Sequence, residues 1–275
     1  MPETIHQRIP TGITTLDPIL EGGVPPGSVL LLLGDIGAGN YEFAYSSLVY
    51  TLKRMKESPQ DGGMVPKKVV YISFTRIKED IKNEILQSFS MEGSADTESS
   101  VQFEDLSDFY FDRSIVPDEW YSRTDTLTRL QKRAGKKNIF VQLSDIFNAV
   151  EDDSIVFIDS ITDIATQSSI PNFWTDMTSI LRGIQRVFKQ RRVTTYLLLT
   201  RGILDPAREM ELEDIVDAVL LFKWEESTAA RRQRIMYFEK FRGVMPHLEE
   251  NDLVKFAVRI SATGGFDVSN IRVII

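Results

Sequence analysis

"GSVLLLLGDIGAGN", Gly27 to Asn40, is an apolar run of strand length that ends in a cluster of glycines. The next segment, "YEFAYSSLVYTLKRMK", spaces Phe43, Leu48, Leu52 and Met55 at near-helical intervals, so the stretch reads as strand, glycine turn, helix. A helix opening at Asn40 leaves its first N–H groups unpaired beside the turn, which is the geometry that holds phosphate oxygens. Against the phosphate-loop pattern G-x-x-x-x-G-K-S/T, Gly34 and Gly39 fit, with Asp35, Ile36, Gly37 and Ala38 between them. Asn40 stands in the place of the lysine and Tyr41 in the place of the small hydroxyl. A tight turn that needs glycine only for its geometry produces the same spacing, and from the loop alone the two readings stand level.

With 275 residues, the chain has the length of one large α/β domain, expected to run from 1 to 275. Its 42% hydrophobic and 26% charged residues are ordinary globular values. No apolar run reaches the ~18 residues of a membrane span, and "MPETIHQRIPTG" has no basic segment followed by an apolar one, so a cytoplasmic protein is expected. There are no cysteines, and His6 and His247 are the only histidines, which excludes disulfides, iron–sulfur clusters and thiolate zinc sites and predicts no metal centre. A net charge of −8 counts against nucleic acid as a partner. The basic cluster Arg231, Arg232 and Arg234 reads as a solvated turn between strands.

Further along, "KVVYISF" reads as a buried strand followed by the charged amphipathic helix "RIKEDIKNEILQSFSM". "VQFEDLSDFYF" suggests a short strand and loop, and the stretch from there to about Gly135 carries no firm pattern. "IFVQLSDIFNAVEDD" is helical, "SIVFIDSITDIA" is a strand closing on Asp159, "NFWTDMTSILRGIQRVFKQRR" is a helix and "VTTYLLLTRG" a strand. "ELEDIVDAVLLFKWEE", "RRQRIMYFEKFRG" and "LVKFAVRISATGGFDV" then give a helix-to-strand passage and late antiparallel strands. The order predicts an α/β fold, a mostly parallel central sheet flanked by helices with antiparallel edge strands.

Phosphate loops combine backbone N–H groups, a lysine on the outer phosphates and a hydroxyl on Mg²⁺. Only the backbone part survives here. Asn40 is neutral and short, and Tyr41 carries its hydroxyl at the far end of a ring, where a metal ligand at ~2 Å has no room for it. Charge neutralisation does most of the work of phosphoryl transfer, so hydrolysis is not expected and no catalytic residue is assigned. Asp159 has two readings: a strand-end carboxylate that holds a metal's water shell, or a cap on the following helix.

Taken together, "RIPTGITTLDPILEGGVPPGSVLLLLGDIGAG", "SIVFIDSIT", "VTTYLLLTRG" and "EDIVDAVLLF…RIMYFEKFRGVMPH" resemble, in order and over nearly the whole chain, the RecA/KaiC-like P-loop ATPases of archaea and of the circadian and recombinase lineages. The resemblance implies a RecA-like P-loop NTPase fold, a nucleotide site formed by Gly34, Asp35, Ile36, Gly37, Ala38, Gly39, Asn40, Tyr41 and Asp159, and ATP or ADP as ligand, bound weakly if at all. It also implies self-association or a protein partner. In active members, glutamates that polarise the attacking water follow the strand matching "VVYISF"; Thr75 and Arg76 stand there. Neither can serve as a carboxylate base. The three departures together give a pseudo-ATPase with a regulatory or scaffold role in signal transduction. An unconventional ATPase with Lys240 supplied in trans, and a recombinase-like single-stranded DNA-binding paralogue, are the alternatives. Lys240 and Arg242 in "EKFRG" read either as groups reaching a neighbouring subunit's nucleotide or, slightly favoured, as solvated residues on an exposed strand face. Arg76 has a further reading, an internal cation approaching the phosphate site.

Overall fold

The computed structural model describes residues 7–57, 63–89, 101–111, 114–121, 138–167, 172–226, 232–251 and 254–270. Among these residues nine strands form one sheet: β1 (Val29–Gly34), β2 (Val69–Ser73), β3 (Val101–Asp105), β4 (Ile155–Asp159), β5 (Thr194–Thr200), β6 (Ala218–Glu226), β7 (Arg232–Phe241), β8 (Lys255–Ser261) and β9 (Gly265–Asn270). The helices are α1 (Asn40–Glu57), α2 (Lys78–Ser88), α3 (Ser107–Phe111), α4 (Asp118–Tyr121), α5 (Ile139–Ala149), α6 (Ile161–Ala165), α7 (Phe173–Arg191), α8 (Pro206–Ile215) and α9 (Met245–Glu250). The stretch after "VQFEDLSDFYF" contains α4, and residues 122–137 lie outside those described.

The sheet order is β3-β2-β4-β5-β1-β6-β7-β8-β9. From β3 to β6 the neighbours run parallel, and β7, β8 and β9 are added antiparallel. β1 is central, and its unbroken run of valine and leucines follows from burial on both sides. Leu30 and Leu32 enter the core under α1, while Val29, Leu31 and Leu33 enter the opposite core with residues of α5 and α7. Burying each such leucine contributes about 2 kcal/mol.

Parallel pairing brings the carboxyl ends of the central strands to one edge. Gly34 lies opposite Thr200, and Ser73 lies opposite Asp159. In open α/β sheets ligands bind outside that edge, so the glycine turn after β1 and the carboxylate ending β4 are neighbours by topology. At the other margin β9 is an edge strand whose Phe266 and Val268 N–H groups donate to Ser46 Oγ at 2.9 Å and Thr15 Oγ1 at 3.0 Å. The chain's own hydroxyls thereby satisfy the donors that an open edge would offer to another strand.

Candidate nucleotide site

The glycine turn is held from outside by its carbonyls. Trp224 Nε1 of β6 donates to Ile36 O at 3.1 Å, and Arg234 Nε of β7 donates to Gly37 O at 3.0 Å. The guanidinium groups of Arg232 and Arg234 lie 4.3 and 4.5 Å from the centre of the Trp224 ring. Arg232 and Arg234 therefore belong to a strand and a cation–aromatic cluster beside the loop, which corrects the reading of a solvated turn; Arg231 lies outside the described residues. The Asp35 N–H donates to Phe222 O and the Ala38 N–H to Asp35 O, both at 2.9 Å. Among the described residues the N–H groups of Gly37, Gly39, Asn40 and Tyr41 have no acceptor. They are the donors available to an anion.

Two glycines are required by geometry. Gly39 has φ +117°, where a side chain is strained, and its hydrogen faces the Phe266 ring, which would stand 3.1 Å from a Cβ. At Gly34 a Cβ would meet Asn40 Cγ at 2.5 Å. The Asn40 side chain is thus folded back, buried, against the start of its own loop rather than extended over it. It supplies no charge where a phosphate would lie.

Asp159 is 1% exposed and is surrounded by donors from three elements. Tyr71, fully buried in the neighbouring β2, donates its hydroxyl to Asp159 Oδ2 at 2.8 Å. Arg76, three residues beyond the end of β2, turns back to place Nη1 3.2 Å from the same oxygen and 2.7 Å from the Tyr45 hydroxyl, and it also pairs with Glu84 of α2. The Tyr41 phenol faces the same carboxylate from the first turn of α1. Burial pushes Asp159 above the ordinary carboxylate value, partly offset by Arg76, by the hydrogen bond from Tyr71 and by the nearby Tyr41 phenol. Burial first, and Asp159 second, push the Tyr41, Tyr45 and Tyr71 phenols up, so all three are neutral; Tyr71 donates to Asp159 and Tyr45 accepts from Arg76. For Arg76, burial opposes the charge, but Tyr45, Asp159 and Glu84 outweigh it and hold the guanidinium protonated.

This donor set does not fit a divalent cation. A Mg²⁺ ion needs oxygen lone pairs around it, and here a guanidinium and protonated phenols already occupy the approaches to the single buried carboxylate. Among the described residues no group of three or more acidic or histidine side chains could hold a metal ion. The helix-cap reading of Asp159 is also corrected: Ser160 is the cap of α6, accepting from the Asp163 N–H at 3.4 Å. Arg76 is the internal cation that the sequence suggested, but it goes to the carboxylate rather than to the phosphate side. Thr75 Oγ1 donates to Asp163 at 3.2 Å and is not free to act on a water.

Lys240 corrects the reading of a solvated residue on an exposed strand face, and Arg242 lies one residue beyond β7. Lys240 Nζ donates to Glu213 O at 2.7 Å and Asp214 O at 2.8 Å, and Arg242 Nη2 donates to Asp214 O at 2.7 Å. They cap the last carbonyls of α8, the place where cations favour a helix. The sequence reading missed Tyr45, Tyr71, Glu84, Trp224 and Arg201. Tyr45 had one signal, its position one helical turn after Tyr41 on the face toward the strand ends. The ion pair of Arg201 with Asp35, at 3.5 Å, joins residues 166 apart and had none.

Among the described residues no helix is long and apolar enough to cross a membrane. No curated protein is similar enough in sequence to count as a match. Of the solved structures, a KaiC-like protein from the hyperthermophilic archaeon Pyrococcus horikoshii OT3 superposes with a TM-score of 0.59 at 19% identity, over 96% of this chain and 99% of that one. At that identity the likeness speaks for the fold: an α/β domain of RecA type. The family model described as "ATPase: KaiC" matches residues 9–254, nearly the whole length, and by that match the chain belongs to the KaiC ATPase family.

Proposed function

We propose that residues 1–275 form one KaiC-like domain that no longer hydrolyses ATP, a pseudo-ATPase that binds adenine nucleotide weakly and acts as a regulatory or scaffold protein in signal transduction, self-associated or bound to a protein partner. The observation that carries this reading is the state of Asp159: its carboxylate is buried under Arg76, Tyr71 and Tyr41, so the position from which a metal would be held is filled by the chain's own cation. The backbone donors of Gly37, Gly39, Asn40 and Tyr41 support retained contact with phosphate oxygens. Asn40, folded onto Gly34, adds nothing to it. The engagement of Lys240 with α8 counts against a lysine supplied in trans, and the net charge of −8 counts against single-stranded DNA.

The test is a calorimetric titration with ATP, with and without Mg²⁺, alongside a steady-state turnover assay. Any ATP binding is expected to have the same dissociation constant in both conditions, near the micromolar to millimolar range that backbone donors alone sustain, about −8 to −4 kcal/mol. Turnover is expected to be absent. Mg²⁺-dependent turnover that Asp159→Ala abolishes would overturn the reading.

A further inference from the structure

At the opposite edge of the sheet from the glycine loop lies a cavity of about 630 Å³ whose walls include Arg8, Lys189, Arg192 and Arg242, with Gln7 and Gly243 beside them. Four separate chain segments converge there: the residues before Ile9, Pro25 and Pro26 after its bridge partner Val24, the carboxyl end of α7, and the residues that follow β7. Among the described residues no carboxylate lines it. Four cations brought to one concave wall repel one another unless something negative lies between them.

Their ion-pair partners do not all supply that charge. Asp217, 3% exposed, binds Lys189 at 2.6 Å and lies 3.9 Å from Arg242, but it is fixed beneath the wall by the Val29 N–H at 3.0 Å. Asp153, 12% exposed, pairs with Arg192 at 2.5 Å and is shared with Lys67 at 3.2 Å. The remaining neighbours are loose and solvated: Glu21 at 3.5 Å from Arg8, and Asp214 at 4.0 Å from Arg242, 69% and 83% exposed. Exposed pairs of that kind contribute little. Among the described residues, Asp217 is divided between Lys189 and Arg242, Asp153 between Arg192 and Lys67, and Arg8 has only the exposed Glu21, so two buried negative charges face four wall cations. Arg192 adds a second point: it ends α7 at φ 55°, a left-handed conformation that glycine or asparagine adopts more readily.

We propose that this cavity binds a small phosphate-bearing anion, at a site distinct from the glycine loop. A phosphate group carries close to two negative charges at neutral pH and matches the forked donors of guanidinium groups. A cavity of this volume falls in the range of small-ligand sites. Arg8, paired only with exposed Glu21, and Arg242, which shares Asp217 with Lys189, supply the incompletely neutralised charge, while Lys189 and Arg192 present their remaining donors.

The experiment uses the full chain with ¹⁵N-labelled glycine, titrated with inorganic pyrophosphate in Mg²⁺-free buffer. The Gly243 amide resonance is expected to shift and saturate at low millimolar pyrophosphate. Arg8→Gln and Arg192→Gly are each expected to weaken that saturation about tenfold, the loss of one charge-assisted hydrogen bond. Arg192→Gly removes the backbone conflict at that position along with the ion pair to Asp153, and an otherwise unchanged glycine spectrum in the variant separates a loss of binding from a loss of folding. No Gly243 shift up to about 10 mM, a shift confined to Gly37 and Gly39, or saturation unchanged in either variant would each overturn the proposal.

Discussion

Arg76 is the residue on which the chemistry of the site turns, because it brings a positive charge to a carboxylate that has almost no water. Arg76→Ala leaves Asp159 buried with two neutral donors and no cation. Breaking a buried pair from one side in this way is expected to lower stability by about 3 kcal/mol at neutral pH. The pH dependence follows from the direction of the Asp159 shift. Its pKa in the fold lies above the ordinary 3.8, so the folded protein holds the proton more tightly than the unfolded chain does. Its contribution to stability is therefore fully present below 3.8 and is lost as pH rises through the raised value. Removing Arg76 moves that value further up. The deficit of Arg76→Ala, measured by chemical denaturation, should be largest near pH 7 and smaller near about pH 5. An equal deficit at both would mean that Arg76 stabilises through packing or Glu84 instead of through the Asp159 charge.

Elements rather than single side chains decide how the two edges of the sheet are built, and Asp217 is where three of them meet. It precedes β6, accepts from the first N–H of β1, and receives Lys189 and Gln185 of α7 at 2.6 and 3.1 Å. Asp217→Ala should cost about 3 kcal/mol, since it leaves the buried Val29 N–H unsatisfied and removes the charge facing Lys189. Thermal unfolding measures this; a change under about 0.5 kcal/mol, the size of an ordinary surface substitution, would show that the junction is held by packing alone. The strands around β1 were readable in advance because burial on both faces writes itself as continuous runs, as in "VLLLL" and "IVFID". The glycine loop was readable because its spacing is local. The roles of Arg234, Lys240 and Arg242 were not, because they depend on how β7 registers on β6. A bulge between Val219 and Leu220 leaves Glu239 as the extra residue and shifts the alternation after Phe238. A two-residue period carries no sign of that shift, so Lys240 lands on the carboxyl end of α8 where alternation placed it on an open strand face. The site's tyrosines were hidden for a different reason: in sequence Tyr71 is one more apolar residue of a buried strand, and only the parallel register with β4 brings its hydroxyl to Asp159.

Across the whole molecule, the candidate site is assembled from the ends of β1, β2 and β4, and the first two of these ends are each followed by a departure from the ATPase pattern. Asn40 follows β1, Arg76 follows β2, and both converge with Tyr41 on the edge where Asp159 closes β4. Because the departures sit on different strands yet act on one small volume, reversing them singly should not restore function. Asn40→Lys with Tyr41→Thr adds a phosphate-reaching charge and clears the phenol. ATP is expected to bind at least about tenfold more tightly in this double variant, the value of one charge-assisted contact. Arg76 still occupies Asp159, however, so the gain should be independent of Mg²⁺ and hydrolysis should stay slow. Adding R76E replaces the internal cation by a carboxylate beside Asp159 and Glu84. Three neighbouring carboxylates repel one another without a cation, so the triple variant should melt at a lower temperature than the double in Mg²⁺-free buffer and recover when Mg²⁺ is added, by mass action on the folded state. Only then is ATP binding expected to depend on Mg²⁺. Rapid turnover already present in the double variant would show that the guanidinium yields its place readily, and that the proposed block to hydrolysis lies in the glycine loop alone.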